Sequence, residues 1–193
     1  MSDIKIFKAT IKDDAKEIAK LVYDTDPYIY PQFSITETDA INMISEMIKS
    51  DDTIFSYKNC ILAKDGEKIV GLIVFLNNAD MSNDYSKWNN SPEMDHVIKS
   101  YILAIKEECD GQDFVYISNV SVNPDYRGQG IATRMMEFLF KLYPGHQFLL
   151  EVLKENDNVV RLYQNRGFVI TDEYKGFNKK HAKKPLVYKM KKD

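Results

Sequence analysis

Val120-Ser121-Val122-Asn123-Pro124-Asp125-Tyr126-Arg127-Gly128-Gln129-Gly130-Ile131-Ala132 reads as the end of an apolar strand, a turn, and a glycine-spaced entry into a helix. The first residues of a helix leave backbone N–H groups without internal partners and carry a partial positive charge, so an anion is stabilised there. Gly128 and Gly130 lack a Cβ, can take positive φ, and let the backbone come close to a pyrophosphate. Ile131, Met135, Phe138 and Leu142 follow at helical spacing and predict one apolar stripe along the helix that begins here.

Two glycines at this spacing also suit a tight turn or a packing contact, so the loop alone names no ligand. A second segment adds to it: Asn156-Asp157-Asn158-Val159-Val160-Arg161-Leu162-Tyr163-Gln164-Asn165-Arg166-Gly167-Phe168. Arg127-x-x-Gly130-x-Ala132, directly after Val-x-Val and Asn-Pro-Asp-Tyr, resembles the acetyl-CoA-binding motif of the GNAT acetyltransferase superfamily. The downstream segment, with its Asn, then Leu-Tyr, then Gly-Phe, resembles that family's other signature, in the right order and spacing. The resemblance implies an α/β fold with a central twisted mixed β-sheet flanked by helices and splayed between strands 4 and 5. It also implies acetyl-CoA as cosubstrate. The pantetheine arm would then run along Val120, Ser121 and Val122 as though it were a neighbouring strand. The N–H groups of Gln129, Gly130, Ala132 and Thr133, with Gly128, would cradle the pyrophosphate within the motif Arg127 to Ala132 that includes Ile131, and an N–H near Val122 would polarise the thioester carbonyl.

The chain has 193 residues, 44% of them hydrophobic and 12% aromatic, enough for one substantial core, and a single domain over 1–193 is expected. A net charge of −3 and a pI near 5.7 give no global attraction to nucleic acid or to an anionic membrane. The charge of a phosphate ligand must therefore be met locally. Cys60 and Cys109 form no C-x-x-C and have no companion histidines, which argues against a disulfide framework and against a zinc site, and no metal is expected. The start Met1 to Ile6 has no apolar signal core, and no run reaches the ~18 to 20 apolar residues of a spanning helix. A soluble cytoplasmic protein is the expectation.

Alternation predicts a strand over Ile4 to Ala9, and Thr10 then caps an amphipathic helix through Tyr23 with Ala15, Ile18, Ala19 and Val22 on one face. Asp26-Pro27 ends it, and Thr38 to Lys49 starts another helix with Ile41, Ile44 and Ile48 inward. Thr53 to Lys64 and Lys68 to Leu76 read as strands joined by the turn Asp65-Gly66-Glu67, and Gly71 suggests a bulge or a close contact. From Asn77 to Gly111 the strand character is lost, with a helix over Pro92 to Glu108. Where the family has a short loop between strands 3 and 4, this segment is an insertion, expected to set acceptor choice or to form a homodimer surface. Strands over Phe114 to Val122, Phe148 to Leu153, Phe168 to Tyr174 and Leu186 to Met190, and a helix over Asn158 to Arg166 closed by Gly167, complete the chain.

Acetyl transfer to an amine needs a bound donor, a neutral amine, hydrogen bonds for the developing oxyanion, and an acid for the leaving thiolate. By the resemblance, Tyr163 is that acid, and Asn156 or Asn158 holds the pantetheine; read from the residues alone, Tyr163 packs in the core and either asparagine caps a helix. Many family members place a carboxylate on strand 4, but this strand offers Tyr116, Ser118, Asn119 and Ser121. That departure leaves Glu151 on strand 5, or a water held by Asn119 or Tyr116, as routes for the amine proton. His96 reads as a surface residue of the insertion. Lys175, Lys179, Lys180, Lys183 and Lys184 suit a solvated loop or a phosphate contact, and Tyr28, Tyr30, Pro31 and Phe33 suit an acceptor pocket, core packing or a dimer contact. The function expected is acetyl-CoA-dependent N-acetylation of a small-molecule or peptide amine in a ternary complex. The alternative is a non-catalytic acyl-CoA-binding or regulatory module of the same fold. A nucleotide-binding P-loop is argued against by the missing Lys and hydroxyl.

Overall fold

A computed structural model describes residues 3–25, 30, 36–80, 113–175 and 185–193. The expectations for Pro27, Tyr28, Pro31, Phe33, His96, Cys109, the helix at 92–108 and Lys179 to Lys184 lie outside those residues, as does most of the expected insertion.

Among the described residues, seven strands form one mixed sheet: β1 (Ile4–Lys8), β2 (Cys60–Asp65), β3 (Lys68–Asn77), β4 (Phe114–Val122), β5 (Gln147–Leu153), β6 (Val169–Lys175) and β7 (Leu186–Lys192), in the order β1-β2-β3-β4-β5-β7-β6. Every pairing is antiparallel except β4 with β5. Helices α1 (Ala15–Tyr23) and α2 (Glu37–Lys49) cover one face over Leu62, Leu72 and Val74. On the other face α3 (Ile131–Leu142) and α4 (Asp157–Gln164) pack over Ile61, Ile73, Phe75, Val115 and Leu150. The strands between these layers are apolar on both sides, as a sheet buried on two faces requires; eight consecutive residues of β3, Ile69 to Leu76, are buried.

Local chemistry explains where several elements start. Asp14, rather than the expected Thr10, caps α1: its carboxylate accepts from the N–H groups of Lys16 at 2.8 Å and Glu17 at 3.1 Å. Thr10 instead forms a turn with Asp13, whose carboxylate accepts the Thr10 N–H at 2.7 Å. Thr36 caps α2 through the Asp39 N–H at 3.1 Å, and Ile44 and Ile48 are buried there while Ile41 packs at the margin. The expected strand from Thr53 begins only at Cys60. Thr53 instead donates its hydroxyl to the Met47 carbonyl at 2.6 Å, and a single 3-10 turn at Tyr57–Asn59 intervenes, so side-chain hydrogen bonds displace extended pairing there.

Gly71 answers to both expectations made of it. A register shift lies beside it in the β2–β3 pairing, and a Cβ there would meet Met135 Cε at 3.0 Å and Ile131 Cγ2 at 3.2 Å. That absent side chain lets α3 lie against β3. The buried stripe of α3 is Ile131, Met135, Met136 and Leu139; Phe138 is only half-buried and Leu142 is 40% exposed, because the sheet turns the inward face of the helix away from the stripe expected from spacing. The last helix ends earlier than expected, at Gln164, and Gly167, with φ +88°, reverses the chain while its N–H bonds the Gln164 carbonyl at 3.0 Å.

The regular pairing of β4 is broken on both of its sides. Val74 pairs with Asn119 but Phe75 pairs with Ile117, so Ser118 is an extra residue, a bulge in β4. The parallel pairing with β5 ends at Ile117 opposite Leu150. Beyond it the two strands diverge, β5 staying with β7 through Leu153 while β4 runs on to Val122 with no partner among the described residues on that side.

Candidate active site

The loop between β4 and α3 stands at the open end of this splay. Asn123 starts it, its side chain accepting the Asp125 N–H at 3.1 Å, and Arg127 folds back so that Nε donates to the Val122 carbonyl at 3.1 Å. Gly128 and Gly130 lie in the left-handed region at φ +76° and +74°, and a Cβ at either would point into open space. Gly130 caps α3 with no side-chain hydrogen bond. Among the described residues, the N–H groups of Gly128, Gln129, Gly130, Ile131, Ala132 and Thr133 find no acceptor. A run of unpaired donors on a helix start, with exposed backbone in front of it, suits a diphosphate. Ile131 contributes through its backbone only, since its side chain is 2% exposed and packs in the core.

The unpartnered edge of β4 carries Val120, Ser121 and Val122. Val120 and Val122 pack against the core under α3, whereas Ser121, opposite Leu72, faces the side of α1 and α2. Any contact these residues make with an extended ligand along the splay is therefore a backbone contact, as strand pairing would be.

Tyr163 on α4 is 6% exposed and its ring meets Phe168 edge-on at 5.7 Å, so the core packing read from spacing is real. Its hydroxyl, however, bonds to no described group, and burial alone holds the phenol well above its ordinary range. Among the described residues the buried side-chain atoms without a partner are Ser45 Oγ and Arg166 Nε, so the unbonded Tyr163 hydroxyl is the end of the side chain that reaches solvent. Asn156 sits at the N-cap position of α4 without bonding its side chain to the helix, and both it and Asn158 in the first turn are exposed.

On the other side of the sheet, facing α1 and α2, Glu151 is the first residue of β5 past the last pair with β4. Its carboxylate accepts the Tyr174 hydroxyl at 2.6 Å, a charge-assisted bond that fixes the side chain, and Lys189 stands opposite it on β7. Across the splay, Asn119 is 4% exposed and bound on both ends of its amide: Nδ2 donates to Thr25 Oγ1 at 2.8 Å and to the Tyr30 hydroxyl at 2.7 Å, and Oδ1 accepts from Ser118 at 2.9 Å. Tyr30 thus packs its ring in the core, edge-on to Phe55 at 6.0 Å, and sends its hydroxyl to the β4 bulge.

A model of the acetyltransferase (GNAT) family matches residues 18–168, which takes in α1 from Ile18 on, both motifs and the splay between them. The chain belongs to that family. It is an N-acetyltransferase, built on the mixed sheet that the motifs imply. A peptidyl-lysine N-acetyltransferase, YjaB of Salmonella typhimurium, is 22% identical over 119 residues, 56% of this chain and 79% of that protein. An N-acetyltransferase from Staphylococcus aureus Mu50 superposes with a TM-score of 0.72 at 19% identity, over 97% of this chain and 99% of that one. Arabidopsis thaliana Naa50, solved with the bisubstrate analogue CoA-Ac-MVNAL, gives 0.59 at 16% identity over 98% of each chain.

In this GNAT chain the loop and the free stretch of β4 follow the last β4–β5 pair, Glu151 is the first residue of β5 beyond that pair, Asn156 comes three residues after β5 ends, and Tyr163 lies in the core on the α3 side. Lys175 is exposed on the edge strand β6. The surface cavity of about 460 Å³ between Phe140, Tyr143, His146, Gln147 and Asp193 lies at the start of β5, the end of the sheet away from the splay. Among the described residues no cluster could hold a metal ion, and no helix is long and apolar enough to cross a membrane. Sequence reasoning missed Tyr174 and Thr25: they reach Glu151 and Asn119 from distant segments, and only strand register and the α1 packing angle bring them there.

Proposed function

We propose that this chain transfers the acetyl group of acetyl-CoA to a primary amine of a small molecule or peptide by direct attack in a ternary complex. The observation that carries the reading is the set of unpaired N–H groups from Gly128 to Thr133 beside a splayed, unpartnered β4 edge. The donor's diphosphate would sit on the start of α3 and its pantetheine along Val120, Ser121 and Val122, with Asn156 or Asn158 as the side-chain contact. An N–H near Val122 would receive the developing oxyanion.

Glu151 is our choice for the base. It is the carboxylate at the mouth of the splay, and the Tyr174 hydroxyl aims it. A water relay through Asn119 is less supported, because both hydrogens of its amide are committed to Thr25 and Tyr30. Burial raises the Tyr163 phenol above its ordinary value, so it carries its proton at neutral pH and can donate to the leaving sulfur. Burial makes it a weaker acid than a thiol of pKa about 8.5, so we assign it a hydrogen bond to the developing thiolate that completes proton transfer only as the thiol leaves, the phenolate regaining its proton from water. A relative named as a peptidyl-lysine N-acetyltransferase, and a structural neighbour solved with the bisubstrate analogue CoA-Ac-MVNAL, favour a peptide amine. We take 1–193 as a single catalytic domain, working in the cytoplasm.

The test is initial-rate kinetics with acetyl-CoA over a panel of peptide and small amines, following thiol release. Intersecting double-reciprocal lines and a loss of about 10²-fold in kcat/KM for Glu151→Gln are expected. Parallel lines would contradict direct attack, and tight CoA binding with no transfer to any amine would favour the non-catalytic module.

A further inference from the structure

Arg166, which neither motif assigns, reaches from the end of α4 back to the first turn of α3. Its Nη2 donates to Thr133 Oγ1 at 3.0 Å and its Nη1 to the Asn165 carbonyl at 3.3 Å, while Nε is buried with no acceptor. Among the described residues no carboxylate pairs with it. A guanidinium beside the positive end of a helix, without an anion, is an unfavourable arrangement in the free protein. It becomes favourable once an anion lies on the same helix start.

The direction of the Thr133 bond adds a second point. Because Oγ1 accepts from Arg166, the Thr133 hydroxyl proton is turned away from the guanidinium, and it donates to no other described group. The Thr133 backbone N–H is unpaired as well. Thr133 therefore presents two donors from one residue at the helix start where the diphosphate of acetyl-CoA would sit.

We propose that Arg166 is a positioning residue for the cosubstrate: it orients the Thr133 hydroxyl toward the diphosphate of CoA and adds a positive charge behind it. The inference rests on the acetyl-CoA reading of the loop. It joins the two sequence motifs physically, since the residue before Gly167-Phe168 in the second sets the donor geometry of the first. A plain structural brace between α3 and α4 would make the same bond but would not distinguish donors with and without a diphosphate.

Calorimetric titration with CoA, alongside turnover of acetyl-pantetheine, which has no diphosphate, separates these roles. Arg166→Gln should weaken CoA binding by about tenfold and Thr133→Val by less, and the double variant by little more than Arg166→Gln alone, because Arg166→Gln already removes both the charge and the orientation of the hydroxyl. Thr133→Ser, which keeps the hydroxyl, should bind as the parent does. The KM for acetyl-pantetheine should not change in Arg166→Gln. Unaltered CoA affinity in Arg166→Gln would overturn the proposal, as would an equal loss for CoA and acetyl-pantetheine together with a lowered melting temperature. If the parent chain bound no CoA at all, the cosubstrate reading itself would fall and this inference with it.

Discussion

At the scale of single residues, Tyr163 shows how one side chain can satisfy two readings. Its ring is core, edge-on to Phe168, while its hydroxyl bonds to no described group and is not one of the buried atoms without a partner. Removing that atom should cost chemistry and little else. Tyr163→Phe is expected to lower kcat by about 10²-fold with CoA affinity and melting temperature nearly unchanged, a split visible by comparing steady-state rates with calorimetry. An equal loss in affinity would mean the hydroxyl serves binding. Gly71 is the opposite case, a residue defined by what it lacks. Gly71→Ala would press a methyl on Met135, Ile131 and Ala63 at 3.0 to 3.3 Å, and thermal unfolding should show about 1–3 kcal/mol of destabilisation without a change in mechanism.

At the scale of elements, legibility follows the range of the forces involved. The loop Arg127 to Ala132 could be read because its chemistry is local: glycines at positive φ and a helix start are written in neighbouring residues. The caps were less legible. Thr10 and Asp14 are both good capping residues, and which of them bonds the helix depends on a turn through Asp13 whose carboxylate Lys64 holds at 2.6 Å from a different strand. Burial opposes ionisation of Asp13, but that ion pair and the bonds from Thr10 keep its pKa below the ordinary value. Asp14→Ala should cost about 1 kcal/mol in chemical denaturation, and Thr10→Ala less, since Thr10 caps no helix. The network of Asn119, Thr25 and Tyr30 was out of reach, because a bulge at Ser118 decides which β4 side chains face α1, and nothing in the strand's alternation announces it.

At the scale of the molecule, the two faces of the sheet divide the labour. The glycine loop, Tyr163 and Arg166 belong to the α3–α4 side, while Glu151, Asn119 and Tyr30 belong to the α1–α2 side. The gap between β4 and β5 is where the two sets meet. Both cores also bury acids that would rather ionise in water. Burial pushes the Cys60 thiol from 9.0 up to about 12 and raises the Tyr163 phenol, so the unfolded chain releases these protons at lower pH than the folded one. Stability from these groups is intact below pH 9 and falls as pH rises toward 12, at up to about 1.4 kcal/mol per pH unit per group. Cys60→Ala should flatten that decline in melting experiments across pH 9 to 11, and the native thiol should resist alkylation at neutral pH.

The central claim is that the glycine loop at the start of α3 holds the diphosphate of CoA, and calorimetric titration of CoA into the parent chain and into Gly130→Glu tests it most directly. The parent should bind one CoA per chain. Gly130→Glu forces a side chain into left-handed backbone at φ +74° and places a carboxylate before the unpaired N–H groups, so its affinity should fall by about a hundredfold or more while the fold survives. A parent chain that takes up no CoA, or a folded Gly130→Glu chain that binds it equally well, would contradict the account.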